Sequence, residues 1–128
     1  MDRVLSERFR KAITLFEANK FEEAIKECQW ILNQQPYHLD ALQMTGLSLA
    51  QLGRKDEAAV PLEMALRISP SLPPLCNNLG ELYRQLGRLT DAERLLRYAL
   101  ALVPQFTEAA MNLGNTLKDQ ERHAEAID

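Results

Sequence analysis

The sequence has little that would bind a metal ion, a nucleic acid or a membrane. It contains only two cysteines and two histidines in 128 residues, and none of them stands at metal-ligand spacing from another. Lys and Arg number 15 against 18 Asp and Glu, a net charge of −3, and no basic stripe could follow a phosphate backbone. Apolar residues nowhere persist for the roughly 18 positions that a membrane span needs. We therefore expect no metal site, no nucleic-acid partner and no membrane insertion.

The two cysteines and the N-terminus favour a reducing compartment. Cys28 and Cys76 lie in apolar helical runs and lack the close spacing of a redox motif, so we interpret both as small core residues. Residues 1–8 carry charges where a secretory signal would have an apolar run. Glycine-rich phosphate loops and nucleophile elbows are not recognisable. We expect a soluble, cytoplasmic protein without a cofactor, and no enzyme within this chain.

Four segments of the sequence align without gaps at a period of 34 residues. They cover residues 5–38, 39–72, 73–106 and 107–128, and the last is incomplete. The recurring residues are Pro36, Pro70 and Pro104, with small residues at Ala12, Gly46, Gly80 and Gly114 and again at Ala24, Ala58, Ala92 and Ala126. Such a period is typical of repeat proteins, in which each unit buries its apolar face against its neighbours. We therefore expect a single repeat domain over residues 1–128.

Each unit has the pattern of a helical hairpin. Apolar residues recur at helical spacing, as at Leu75 and Leu79, and nothing in the pattern indicates strands. Gly53 and Gly87 fall midway through their units, where glycine can end one helix and let the chain reverse. Asn19 takes the same place in the first unit. The pattern predicts an all-α protein built of antiparallel helical hairpins.

A charge pattern marks the start of each second helix. A basic residue follows the turn in all four units and an acidic residue comes three positions later, as at Arg88 and Asp91. An acid in the first turn suits the positive end of a helix dipole and can pair with the base. In the fourth unit the pair is Arg122 and Glu125. We therefore predict a turn around His123 that begins a second helix. Because the sequence stops within that helix, we expect either a longer natural protein or a partner or second copy that covers this end.

The spacing of small residues and prolines resembles the tetratricopeptide repeat. The third unit matches its signature positions best, with Leu79, Gly80, Tyr83, Ala92, Ala99 and Pro104. The first unit departs most, carrying Arg8, Lys11 and Ile31 where the family prefers other residue types. The resemblance covers nearly the whole chain from Leu5 onward. It implies a right-handed α-solenoid whose first helices line a concave groove for a protein ligand.

The same resemblance implies which side chains line that groove. Its N-terminal half is apolar, and its C-terminal half is charged and rich in amides. The implied lining residues are Phe9, Ile13, Phe16, Gln43, Met44, Leu47, Asn77, Asn78, Glu81, Arg84, Met111, Asn112 and Asn115.

The leading hypothesis is a scaffold that binds a peptide or protein segment in this groove. Asn78 and Asn112 lie one repeat apart, and an amide can both donate to and accept from a peptide backbone. The pair is similar to the asparagine ladder in the repeat domain of O-linked N-acetylglucosamine transferases, although Arg10 and Met44 interrupt it. The alternative is that these asparagines bond only to their neighbours.

Two other functions stay open. Self-association could use an apolar patch of Phe9, Phe16 and Met44 and the apolar face of the unfinished fourth unit. The alternative is that N-terminal residues fold over the patch, or that Phe9 and Phe16 pack into the first unit's own core. The chain could also be the accessory arm of a glycosyltransferase whose catalytic domain lies beyond Asp128. The resemblance does not extend to the carboxylate clamp by which some family members hold acidic C-termini, because its two lysine positions hold Phe9 and Pro74 and its first asparagine position holds Ile13.

Overall fold

The computed structural model describes residues 3–127, and that part of the chain contains seven α-helices and no strand. The helices are α1 Arg3–Glu17, α2 Phe21–Gln34, α3 Leu39–Gln51, α4 Lys55–Ile68, α5 Pro73–Gln85, α6 Leu89–Leu102 and α7 Thr107–Ile127. The first six form three hairpins, one in each of the first three sequence units. The predicted all-α fold of helical hairpins is confirmed.

The turns inside the three hairpins lie where the sequence predicts them. Asn19, Gly53 and Gly87 have φ values of 62°, 79° and 81°, which glycine adopts without strain and asparagine tolerates better than most residues. The N–H of the next residue returns to the helix end, as from Arg88 to the carbonyl of Tyr83 at 2.8 Å. This left-handed residue and its returning hydrogen bond end the first helix and start the reversal.

The predicted turn in the fourth unit is wrong. Helix α7 runs without a break from Thr107 to Ile127, so His123 lies within a helix and not in a turn. The position that carries glycine or asparagine in the other units is Glu121 here. A glutamate in the left-handed region is strained, and it is a good helix former. The chain therefore continues as a helix through Glu121, and Arg122 pairs with Asp119 on the same helix at 3.5 Å.

The helices fall into two compact units, α1 to α4 and α5 to α7, and the boundary along the chain lies between Ser69 and Pro70. In the first unit each helix packs against the next, and α1 also contacts α3. One cluster of its buried residues contains Leu5, Ala12, Cys28, Ile31 and Ala41, with Phe9, Trp30, Leu32 and Met44 packed against it. In α3, Gly46 lies directly under the Leu62 side chain of α4. The core role predicted for Cys28 is confirmed.

The second unit contains α5, α6 and α7, and α5 contacts both of the others. Leu75, Leu79 and Leu96 are fully buried. Cys76 is buried as well, which confirms its predicted core role. A Cβ atom built on Gly80 would lie 2.8 Å from Leu96 Cγ, so only glycine lets α6 approach this closely. The expectation of a single domain over residues 1–128 stays a prediction.

Candidate functional site

An open cavity of about 340 Å³ lies on the first unit, between α1 and the start of α3. Its walls are mostly apolar and come from Leu5, Phe9 and Ile13 of α1. The polar groups at its rim are Ser6, Arg10, Gln35, His38 and Asp40. The cavity has the size and the mixture of apolar wall and sparse polar rim that suit the side chain of a ligand.

His38 forms one side of this cavity and also fixes the helix beside it. Its Nδ1 atom accepts a hydrogen bond from the Ala41 N–H at 3.1 Å, which caps the N-terminus of α3. The imidazole ring lies 5.8 Å from the Phe9 ring, tilted by 46°. Because Nδ1 accepts, the proton of the neutral ring is on Nε2, which remains a donor. The cap thus sets the orientation of a polar group beside an apolar wall.

The remaining predicted residues of the apolar half lie elsewhere on the first unit. Phe16 packs edge-on against Phe21, with ring centroids 5.2 Å apart. Met44 packs against the buried cluster of the first unit. Gln43 and Leu47 are half-buried on α3. Of the six groove residues predicted on the first unit, only Phe9 and Ile13 line the cavity.

In the second unit two of the predicted amide side chains bond to each other. Asn112 Nδ2 on α7 donates to Asn77 Oδ1 on α5 at 2.9 Å. Asn77 is buried, whereas Asn78 is half-buried and Asn115 is exposed. The pairing fixes the Asn112 amide group with its Nδ2 turned towards Asn77. Met111, on the same helix, is exposed.

Arg84 organises a second polar cluster on the same unit. Its guanidinium donates from Nε and Nη2 to the two carboxylate oxygens of Glu81 at 2.8 and 2.7 Å, and from Nη1 to Asp119 Oδ2 at 2.8 Å. The hydrogen bonds to Glu81 and then to Asp119 raise the pKa of Arg84. Burial alone would raise the pKa of the Glu81 carboxyl, but hydrogen bonds from Arg84 and Gln85 outweigh it and lower that pKa. The cluster bridges α5 and α7, and each of the three guanidinium nitrogens of Arg84 donates a hydrogen bond within it.

Acid is expected to remove the stabilisation that Arg84 provides. A carboxyl whose pKa is lowered by folding contributes stability above its unfolded pKa of about 4.3 and loses it as the pH falls through the folded value. Arg84→Met should lower the free energy of unfolding by about 1 kcal/mol at pH 7, because the bonds are charge-assisted but partly exposed. The difference between the two proteins should shrink as the pH falls from about 5 to 3. Urea unfolding over this pH series measures it, and a constant difference would contradict the role given to Glu81.

The described part of the chain contains no reactive thiol and no cluster of metal ligands. Burial raises the pKa of the Cys28 thiol to about 11, outweighing the hydrogen bond to Thr45 that lowers it, and burial also raises the pKa of Cys76. Among residues 3–127, no three His, Cys, Asp or Glu side chains are grouped so that they could hold a metal ion. Within the same residues, every helix is too short or too polar to cross a membrane.

Five of the eight cavity residues hold positions that the resemblance assigns to the groove, namely Ser6, Phe9, Arg10, Ile13 and Asp40, whereas sequence reasoning missed Leu5, Gln35 and His38. Leu5 precedes the first predicted groove position, and the other two lie in the connection between α2 and α3. The available signal was the place of His38 directly before Leu39, where α3 begins. A side chain with an acceptor at that point is a candidate helix cap.

Three hairpins of this kind define a helical-repeat protein. A family model described as tetratricopeptide repeat matches residues 9–73 and 77–128 of the chain. This match covers most of the sequence, and the chain belongs to the tetratricopeptide-repeat family.

Solved structures of similar fold share few residues with this chain. The type III secretion chaperone SycD of Yersinia enterocolitica, in complex with a peptide of the translocator YopD, is 19% identical with a TM-score of 0.84, over 94% of this chain and 97% of that one. The first repeat domain of Spaghetti (RPAP3), bound to an HSP90 peptide, is 18% identical with a TM-score of 0.89, over 94% and 96%. A mutant O-GlcNAc transferase of Thermobaculum terrenum is 22% identical with a TM-score of 0.83, over 91% of this chain but only 23% of that one. At these identities the likeness concerns the fold.

Proposed function

We propose that this chain is a protein-interaction module that binds a peptide segment and seats an apolar side chain of that segment in the cavity on α1. The observation that carries the proposal is the cavity itself, about 340 Å³ with mostly apolar walls. Burying one leucine-sized or phenylalanine-sized side chain there would contribute about 1.5–3 kcal/mol. The peptide complexes of SycD and Spaghetti support a peptide as the class of ligand.

The polar rim supports a backbone segment passing over the cavity. The rim offers donors on Arg10, Gln35 and His38 and acceptors on Asp40 and Gln35. A peptide unit presents one donor and one acceptor on every residue. Among the described residues that line the cavity, Arg10 is the one Lys or Arg and Asp40 is the one Asp or Glu, so a ligand rich in acidic residues is not favoured.

The test starts from a selection, because the ligand has no assigned sequence. A library of random twelve-residue peptides is selected on the immobilised full chain, and recovered peptides should share one apolar position. The best peptide is then titrated into the protein and into Ile13→Glu, which places a charge in the cavity wall. Affinity should fall at least tenfold, which corresponds to about 1.4 kcal/mol.

Val4→Glu is the matched control, since Val4 lies on the same helix but outside the cavity. It should change the affinity by less than about twofold, as expected for a residue that the ligand does not touch. Circular dichroism checks that both variants keep their helices. Equal affinities for Ile13→Glu and the unsubstituted protein, or recovered peptides without a shared apolar position, would exclude the cavity as the binding site.

A separate part of the proposal is that Asn78 and Asn112 of the second unit hydrogen-bond to the backbone of the bound peptide. Asn78 is the cleaner residue to test, because its side chain makes no hydrogen bond with any other residue of the described range 3–127. Asn112→Ala would instead leave the buried Asn77 Oδ1 without its donor, which costs about 1–3 kcal/mol of stability. Weaker binding by a protein that carries both Asn78→Ala and Asn112→Ala could therefore come from lost ligand contacts or from lost stability. The affinity of Asn78→Ala alone should be measured.

A further inference from the structure

His38 belongs both to the start of α3 and to the wall of the cavity on the first unit. Its Nδ1 atom accepts the hydrogen bond from the Ala41 N–H at 3.1 Å, and its ring lies 5.8 Å from the Phe9 ring of the apolar wall. The side chain is half-buried, so the ring still meets water in the free protein. The helix cap and the shape of the cavity therefore depend on the same imidazole.

Only the neutral form of His38 can make this cap. In the doubly protonated ring both nitrogens are donors and no acceptor remains, so an Nδ1–H group would face the Ala41 N–H. A cation is also unfavourable at the positive N-terminal end of a helix. Histidine changes its charge between about pH 5 and 8. We therefore expect mild acid to break the cap and to turn the ring away from its place in the cavity wall.

A bound ligand would favour the neutral ring further. An apolar side chain seated against Phe9, Ile13 and His38 excludes water from the imidazole. A charged ring loses much more free energy than a neutral ring when that water is removed. The ligand and the proton therefore compete, and each makes the binding of the other less favourable.

The charged groups around the cavity oppose one another. Among the described residues that line it, α1 contributes one Lys or Arg, which is Arg10, and α3 contributes one Asp or Glu, which is Asp40. Asp40 favours a charged imidazole and Arg10 disfavours it. The connection between α2 and α3 adds Gln35, which carries no charge. The charged residues that line a separate cavity between α1 and α2 are Glu7, Arg8, Lys11 and Glu27.

The other first helices begin without a titratable cap. The residues directly before α5 and α7 are Leu72 and Phe106, and neither side chain has an acceptor. Helix formation in this repeat therefore does not require histidine at this position. In the first unit the histidine coincides with the apolar cavity, which suggests a role at the cavity beyond starting the helix.

We propose that His38 makes peptide binding at this cavity depend on pH, so that the peptide binds while the imidazole is neutral and is released when the imidazole is protonated. His38 is a positioning residue here, because its neutral form keeps the start of α3 and one wall of the cavity in place. The proposal rests on the proposed function, since it concerns the same peptide and the same cavity.

The test measures the affinity of one peptide for the full chain at two pH values. The peptide is selected at about pH 8, contains no His, Asp or Glu, and has acetylated and amidated ends, so that it does not itself titrate between about pH 8 and 5.5. Isothermal titration calorimetry gives the Kd at both values. One linked proton changes an affinity by at most about tenfold per pH unit. We expect the affinity to be lower by about fivefold or more at the lower pH.

Two variants show whether His38 is the group that titrates. His38→Asn keeps an acceptor for the cap and does not titrate in this range. Its affinity should be lower at the higher pH, because the aromatic wall is lost, but it should change by less than about twofold between the two pH values. His123→Asn is the matched control, since it removes the other histidine of the chain, which is exposed on α7. It should keep the full pH dependence.

The protein without peptide provides a second measurement. The ¹⁵N chemical shifts of the His38 ring report which of its nitrogens carries a proton. At the higher pH, Nε2 should carry the proton and Nδ1 should not, as the cap to Ala41 requires. The Ala41 amide signal should shift as the ring gains its second proton.

Four results would overturn the proposal. These are equal affinities at the two pH values, an unchanged pH dependence in His38→Asn, a lost pH dependence in His123→Asn, or a proton on Nδ1 at the higher pH. Each of these results leaves peptide binding itself in place. A protein that binds no selected peptide at the higher pH would instead overturn the proposed function, and the pH-dependent release with it.

Discussion

Replacing Leu62 with alanine is expected to lower the free energy of unfolding by about 2–5 kcal/mol. The Leu62 side chain is fully buried and lies on Gly46, where no other side chain can fill the space that it leaves. The loss therefore combines the removed apolar burial with a cavity between α3 and α4. Urea unfolding followed by circular dichroism at 222 nm measures the change.

Leu117→Ala is the control for this prediction. It makes the same chemical change at an exposed position of α7. Because little burial is lost, the expected cost is below about 1 kcal/mol. Similar costs for the two substitutions would mean that α4 does not pack on Gly46 as the structure shows.

Replacing Gly80 with leucine is the second large effect that we expect. The first carbon of the new side chain would lie 2.8 Å from Leu96 Cγ and 3.5 Å from the Ala92 carbonyl oxygen. Overpacking of a closely packed helix pair costs about 1–3 kcal/mol and sometimes more. We expect a loss of about 3 kcal/mol, with α6 displaced from α5.

Gly114→Leu tests the same change in the same register of the repeat. Here the first carbon of the new side chain would meet no atom within 4 Å, and leucine is a better helix former than glycine by almost 1 kcal/mol. Its free energy of unfolding should stay the same or rise by up to about 1 kcal/mol. If both substitutions destabilised the protein equally, backbone flexibility at glycine and not the space above it would explain the result.

Much of the fold could be predicted because it depends on local residues. The turns at Asn19, Gly53 and Gly87 follow from backbone conformations that few other residues adopt. The charge pairs after two of these turns also form, as between Arg54 and Glu57 at 2.6 Å. The same pattern was misleading at Arg122, because a charge pair can stabilise a continuous helix as well as begin a new one.

Less of the candidate site could be predicted. Helical spacing places Phe9 and Ile13 on one side of α1, but only the packing of α1 against the start of α3 brings His38 beside them. The amides of Asn77 and Asn112 are 35 residues apart in the sequence, and their hydrogen bond depends on the approach of α5 and α7. The resemblance places Asn112 in the groove lining and leaves open a bond to a neighbour, and the structure shows its Nδ2 donating to Asn77.

The sequence by itself determined the repeat length, the helical hairpins and the positions of the three turns that form. Each of these depends on residues close together in the chain, through backbone preference and helical periodicity. The tertiary structure decided which side chains are covered: Gly46 and Gly80 lie under leucines, whereas Gly114, at the same place in the repeat, lies under none. Burial depends on which helices meet, and residues distant in the sequence decide that.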